Sequence, residues 1–213
     1  MKTEELIQSL VVTVRPVSRH AVGQRIALGM IGGAVVTMLL IVAVLGLRPD
    51  LGAALRGFPL WMKWVYTASL GIVAVSATSN LARPDAKSLR WLWLLAVPIL
   101  LLAGICIAEL TYAPKSAMLA MWLGESWKLC PWIVLILSLP IFVGLLWSYR
   151  RFAPTRLRAA GATAGLSAGA WAALLYCLHC PEVSAMFVLT WYSLGIGLAT
   201  LLGALVGPRL LRW

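Results

Sequence analysis

Stretches of about 20 predominantly apolar residues alternate along the chain with short polar connections, and six stand out, at 26–47, 60–80, 91–109, 130–149, 159–178 and 184–206. A helix needs about 20 residues to cross about 30 Å of hydrocarbon, so each stretch is long enough to span a bilayer. The runs are continuous, unlike the alternating strands of about ten residues in a membrane barrel. Backbone amides in lipid must pair within their own segment, which leaves helices. The predicted fold is all-α: a polytopic membrane protein of six transmembrane helices. The second stretch contains Lys63, Ser69, Ser76 and Thr78, and the fifth is mostly Ala and Gly, yet both read as spans. In the fifth, Gly161, Gly165 and Gly169 make two consecutive GxxxG steps, the pattern of a helix that a neighbour approaches closely. The chain divides into a head at 1–25, a transmembrane domain at 26–206 and a tail at 207–213.

The head has a different periodicity. In TEELIQSLVVTV (3–14), Leu6, Ile7, Leu10, Val11 and Val14 fall on one helical stripe. Thr3 is placed as a cap, Glu4 and Glu5 occupy the first turn, where the helix dipole favours carboxylates, and Pro16 ends the segment. So short a helix is marginal alone in water and needs a surface for its stripe. Its acidic polar face suits an anionic leaflet poorly. A protein groove is the expected partner of Leu6, Ile7, Leu10, Val11 and Val14.

Composition agrees with a membrane chain: 62% of residues are apolar and 12% charged, against about 45–50% and about 25% in soluble domains. A net charge of +11 would suggest nucleic acid in a soluble protein, but its distribution explains it otherwise. Of the 18 Lys and Arg, 13 lie in the head, the 83–90 and 150–158 connections and the tail; Arg48, Arg56, Lys63, Lys115 and Lys128 lie on the other side. By the positive-inside rule both termini are cytoplasmic and the connections 48–59, 110–129 and 179–183 face outward. No direct nucleic-acid contact is needed to account for the charge. The opening MKTEEL has two carboxylates where a signal peptide carries its basic region, so no cleaved leader is expected. Trp61, Trp64, Trp91, Trp93, Trp127, Trp132, Trp147 and Trp213 fall near predicted interfaces, as anchoring tryptophans do.

All four cysteines, Cys106, Cys130, Cys177 and Cys180, fall toward the outward ends of spans. The densest group is Cys177-Leu178-His179-Cys180-Pro181-Glu182, opposed by Cys130-Pro131-Trp132. Three readings fit these residue types. Cys130 and Cys180 can form a disulfide that Cys177 exchanges with. Cys130, Cys177, Cys180 and His179 offer soft metal ligands, with Glu182 a harder one. Alternatively the thiols are small buried side chains in helix packing, which is the favoured reading for Cys106 in ICIAEL. A lone CxxC does not separate redox from metal chemistry. No resident cofactor is expected; a transient soft metal ion at the outward cysteines is the one candidate ligand. Glu109, at the outer end of the third span, is expected to pair with Lys115 or Lys128.

Together, the acidic-capped head, the six spans and the paired outward Cys-Pro sites resemble the NrsF family, negative regulators of the ECF sigma factor sigma F. The resemblance is carried by MKTEELIQSL with Arg15-Pro16-Val17, by Cys130-Pro131, and by His179-Cys180-Pro181-Glu182 continuing to Phe187 and Trp191-Tyr192. It implies a multi-pass anti-sigma factor of the bacterial inner membrane, not an enzyme, whose head holds an ECF sigma factor. It further implies that the cysteines matching Cys130 and Cys180 are needed to respond to heavy-metal or oxidative stress; Cys106 and Cys177 fall outside that pattern. Two rival classes remain open on the residues alone. A membrane thiol-disulfide oxidoreductase would cycle Cys177 and Cys180, and a small metal-ion transporter would want ligands near mid-membrane. In the sensor reading, the glycine face of the fifth span passes an outer movement inward.

Overall fold

Each of the six apolar stretches becomes a long helix, with ends displaced by a few residues from the predicted ones. The computed structural model describes residues 3–4, 21–82, 90–152 and 154–212, and its regular elements there are all helical. The head residues Leu6, Ile7, Leu10, Val11 and Val14 lie outside the described residues, as do Arg15, Arg19, Arg83, Lys87 and Trp213. Helix α1, Ala21–Leu45, finishes in a π-turn and stops at Gly46, whose φ of 77° a side chain would disfavour. A single turn, α2 (Leu51–Ala54), leads to α3 (Phe58–Leu81), which has Pro59 in its first turn. Helix α4 covers Leu92–Tyr112, and α5 (Met118–Leu123) ends at Gly124, φ 56°. Then come α6 (Cys130–Tyr149), α7 (Leu157–Tyr176) and α8 (Ala185–Leu210), the last with a π-turn at Val188–Tyr192.

Five of these helices combine the length and apolarity needed to cross a bilayer, where the sequence pattern predicts six; α7 falls short. Its 20 residues are long enough, but Ala, Gly, Ser and Thr fill it. The reason lies in its position. It packs against α3, α6 and α8, and its buried residues run from Ala160 to Tyr176. A helix that faces other helices gains from small residues that let backbones approach, not from large apolar side chains.

The GxxxG expectation for this helix holds. A Cβ at Gly161 would run into the Gly203 carbonyl and lie 2.8 Å from the Gly207 Cα, and one at Gly165 would strike the Ala199 carbonyl. A second close approach, between α1 and α6, rests on a GxxxG step not singled out from the sequence, Gly29 and Gly33. Gly29 of α1 lies against Gly144 of α6, and Gly33 against Pro140 and Ile141, with no room for a side chain at either glycine. Two hydrogen bonds tie the same pair: Ser148 Oγ donates to the Arg25 carbonyl (2.8 Å) and Thr37 Oγ1 to the Leu137 carbonyl (2.9 Å). The Arg25 guanidinium also sits 4.5 Å above the Trp147 ring, a cation–π contact. Helix α1, which leads out of the head, is thus fastened to α6 along its length.

The polar residues of α3 also find their use. Thr78 Oγ1 meets Ser167 Oγ of α7 at 3.1 Å, and the Tyr149 hydroxyl of α6 donates to the Thr78 carbonyl at 2.9 Å, so one buried threonine joins three helices. Helix α4 is peripheral, leaving Leu100, Leu101 and Ile107 exposed.

Candidate functional site

The segment that follows α7 carries the Cys-x-x-Cys-Pro-Glu sequence, and its local structure is built from the end of that helix. The Cys180 amide donates back to the Tyr176 carbonyl at 3.0 Å. The Cys177 thiol donates to the Ala173 carbonyl at 3.2 Å. Cys130 opens α6; its amide donates to the Ser126 carbonyl (2.8 Å), and Pro131 occupies the first turn, where a missing N–H costs nothing. Cys130, Cys177 and Cys180 are all fully buried. All four cysteines are free thiols.

The predicted outward connections converge on this segment. The Arg48 amide donates to the Leu178 carbonyl (3.1 Å), and its guanidinium reaches the Cys180 carbonyl (3.4 Å). The same guanidinium holds Asp50 through two bonds of 2.7 and 2.6 Å, which keeps the Asp50 carboxyl below its ordinary range. His179 Nδ1 bonds the Gly46 carbonyl at 2.9 Å. Lys63, fully buried on α3, donates to the carbonyls of Cys180 (3.0 Å) and Glu182 (2.8 Å).

From the other side, Glu182 Oε1 accepts from the Glu125 amide (2.8 Å), the Ser126 amide (3.2 Å) and Ser126 Oγ (3.1 Å). Its carboxylate lies so close to the Gly124 Cα that the positive φ and the lack of space both require glycine there. The Trp191 indole donates to the Trp122 carbonyl (2.8 Å) and lies against the Trp122 and Trp127 rings. Trp127, expected only as an interfacial anchor, therefore also joins the connections.

Glu109 departs from expectation. It does not pair with Lys115 or Lys128; among the described residues the ion pair is Arg48–Asp50. Its carboxylate accepts from the Ala185 amide (2.9 and 3.1 Å) and from Ser184 Oγ (3.2 Å), while Ser184 Oγ accepts from the Met186 amide (3.2 Å). A carboxylate at the start of α8 meets unpaired amides and the positive end of the helix dipole, a better partner than a mobile surface lysine.

Of the predicted site residues, Cys177, His179 and Cys180 lie on the segment that follows α7, which Lys63 of α3 holds, and Cys130 opens α6. Among the described residues, no three His, Cys, Asp or Glu side chains already stand in metal-ligand geometry. Cys177 is engaged by Ala173 and His179 by Gly46, so Cys130, Cys180 and His179 do not form a ready-made metal site. Two further buried residues bear on this segment, Lys63 through its hydrogen bonds and Tyr192 through Tyr176. Lys63 could have been found from its position in an apolar run, where an ionisable residue is a functional candidate by default. Tyr192 gives no such signal. It lies on the α8 π-turn, fully buried, its ring 5.8 Å from that of Tyr176 and its hydroxyl without a hydrogen-bond partner.

A family model described as "Negative regulator of sigma F" matches residues 10–213. The "Probable anti-sigma-F factor NrsF" of Azospira oryzae is 40% identical over 214 residues, and the "Anti-sigma-F factor NrsF" of Caulobacter vibrioides is 38% identical over 216; both alignments cover all of each chain. No solved structure matches. With head and helical bundle both included in these alignments, the chain belongs to the NrsF family of negative regulators of sigma F.

Proposed function

We propose that the protein is an anti-sigma factor of the bacterial inner membrane, a regulator and not an enzyme. Its head, through Leu6, Ile7, Leu10, Val11 and Val14, holds an ECF sigma factor at the cytoplasmic face, and it releases that factor when Cys130 and Cys180 meet a soft metal or an oxidant outside. The observation that carries the reading is alignment over the whole chain with two curated anti-sigma-F factors, head included. The sorting of 13 of 18 cations to one side supports cytoplasmic termini. With both termini inside, α7 crosses the membrane as a sixth span, its small residues tolerated because α3, α6 and α8 shield it from lipid.

Cys130 sits in the first turn of α6, and α6 holds α1 at Thr37, Gly33, Gly29 and Arg25. A displacement of Cys130 relative to Cys180 therefore reaches the head through α6 and α1. The glycine face of the fifth span, also expected to carry the signal, packs α7 on α8. Inverting a 99:1 bound population takes about 5.5 kcal/mol, a scale within reach of metal–thiolate bonding.

The test is co-purification of sigma factors with the full-length protein, combined with a reporter of the sigma regulon. Leu6→Asp with Leu10→Asp should abolish co-purification and derepress the reporter. Cys130→Ser with Cys180→Ser should keep repression and lose induction by cadmium or peroxide. Undiminished induction in the serine variant would refute the sensor role, and unchanged co-purification in the aspartate variant the role of the head.

A further inference from the structure

The carboxyl ends of α6 and α8 carry a charge that the fold leaves unanswered. Arg150 and Arg151 follow α6, Arg209 lies in the last turn of α8, and Arg212 comes just after it. Each helix end offsets only about half a charge, so about three of the four positive charges remain. Residues 149–158 and 206–212 contain no Asp or Glu, and among the described residues no carboxylate pairs with any of these arginines. Between the two helix ends lies a pocket of about 280 Å³, lined by Tyr149, Arg150, Leu210, Leu211 and Arg212. Two of these residues are fixed in the bundle: Tyr149 and Leu211 are buried, the Tyr149 hydroxyl donates to the Thr78 carbonyl (2.9 Å) and the Leu211 amide to the Gly207 carbonyl (2.9 Å). The others, two arginines and Leu210, are exposed.

Exposed apolar stripes lead to this pocket. On α6, Leu139, Val143 and Trp147 precede Arg150, and on α8, Leu201 and Leu205 precede Arg209 and Arg212, all at steps of three or four residues along one helix face. An acidic protein surface would answer the arginines and leave the stripes without a use. A phospholipid, with a phosphate above apolar chains, matches both parts. We propose that the pocket binds the headgroup of an anionic phospholipid, its phosphate held by Arg150 and Arg212 and its acyl chains lying along the exposed stripes. Guanidinium groups match phosphate oxygens with paired N–H donors, and basic pockets between transmembrane helices on the cytoplasmic side recognise anionic headgroups. The surplus of positive charge selects a lipid of net negative charge over a zwitterionic one, whose ammonium it repels. The inference rests on the cytoplasmic placement of both chain ends, and on neither the cysteine sensor nor the head. The bound lipid braces the end of α6, where the Arg25 guanidinium lies 4.5 Å over Trp147 and Ser148 holds the Arg25 carbonyl (2.8 Å), close to where α1 leaves the head.

The test is native mass spectrometry of the full-length protein in detergent micelles, titrated with phosphatidylglycerol, with phosphatidylethanolamine of the same chains, and with inorganic phosphate as competitor. The parent should bind a first phosphatidylglycerol about tenfold more tightly than phosphatidylethanolamine. Arg150→Gln with Arg212→Gln should weaken phosphatidylglycerol binding by about 10–30-fold. Arg156→Gln with Arg158→Gln removes as much charge from the same side of the membrane but touches no part of the pocket. That pair should change binding by less than about threefold at about 0.15 M salt, where exposed charges beyond about 8 Å are screened. Arg150→Lys with Arg212→Lys keeps the charge without the fork and should fall between the parent and the glutamine pair. If the pocket glutamine pair does not fold, the lysine pair decides: weaker binding than the parent supports the site, and equal binding overturns it. Four other outcomes overturn the inference: equal affinity of the parent for both lipids; equal loss in the two glutamine pairs; displacement of the lipid by an equal concentration of inorganic phosphate, the mark of a free-anion site; and loss of sigma-factor co-purification in the pocket pair with lipid binding unchanged, the mark of a protein-docking face. Failure of the sensor or of the head leaves lipid binding intact, and failure of the lipid site leaves induction and co-purification intact.

Discussion

Replacing Gly29 by alanine tests the junction that carries α1 on α6, and Gly32, one turn further along the same helix, supplies the control. A Cβ at Gly29 would lie 2.8 Å from the Gly144 carbonyl carbon and closer still to its oxygen and to Ser148 Oγ. The obstacle is mostly backbone, so relief comes only from moving the helices apart. At Gly32 nothing lies within 4 Å. Both substitutions gain about 0.5–1 kcal/mol of helix propensity. Gly32→Ala should keep that gain. Gly29→Ala should lose about 1–3 kcal/mol to overpacking and about 0.6 more if the Ser148–Arg25 bond breaks, taking the average for hydrogen bonds between membrane helices. The two variants should therefore differ by about 2–4 kcal/mol, or about 4–16 °C in Tm at about 2–4 °C per kcal/mol for a chain of this size. Thermal unfolding of both, in one detergent at one heating rate, gives the comparison even where unfolding is irreversible. Equal Tm values would refute the close approach of α1 and α6, and with it the proposed route from Cys130 to the head.

Two further outcomes follow from the contacts around the Cys180 segment. Glu182→Gln removes the charge that three donors share, and should destabilise the protein by about 1–2 kcal/mol and speed hydrogen exchange at the Glu125 and Ser126 amides; unaltered exchange at both would exclude these hydrogen bonds. Arg48 depresses the Asp50 carboxyl, so the support from this pair is fully present above the ordinary aspartate range, about pH 3.9, and is lost as pH falls through the lowered folded value. Exchange at the Arg48 amide, corrected for intrinsic rate, should stay flat from about pH 7 to about pH 5 and rise below about pH 4. Asp50→Asn should show the faster exchange throughout, and loosening of the native protein between pH 5 and 7 would point to a different group.

The helices were legible because a bilayer-length apolar run is a property of contiguous residues. Cys130–Tyr149 coincides with its predicted span, and the other ends shift by a few residues where caps decide them: Gly46 stops α1, and Ser184 with Glu109 starts α8. The placement of Cys130, Cys177 and Cys180 at helix ends was legible for the same reason, since each lies near the end of an apolar run. Glu109 was misread because its partners are the Ser184 hydroxyl and the Ala185 amide at the start of α8, which no charge pattern announces. α7 was read as an apolar span like the others because the pattern of residues says nothing of which helix its neighbours enclose.

The sequence by itself determined that this is an all-helical chain, where its long helices lie, and which family it belongs to, because these depend on local hydropathy and on residues in order. Only the tertiary structure decided that α1 rides on α6, that the GxxxG face of α7 meets α8, and that Lys63 reaches the carbonyls beside Cys180 from more than a hundred residues away. The physical reason is that a membrane helix is apolar on nearly every side. Its sequence carries no amphipathic stripe to name the inward face, so partners are set by small residues that permit contact and by the few polar groups that must find one another away from water.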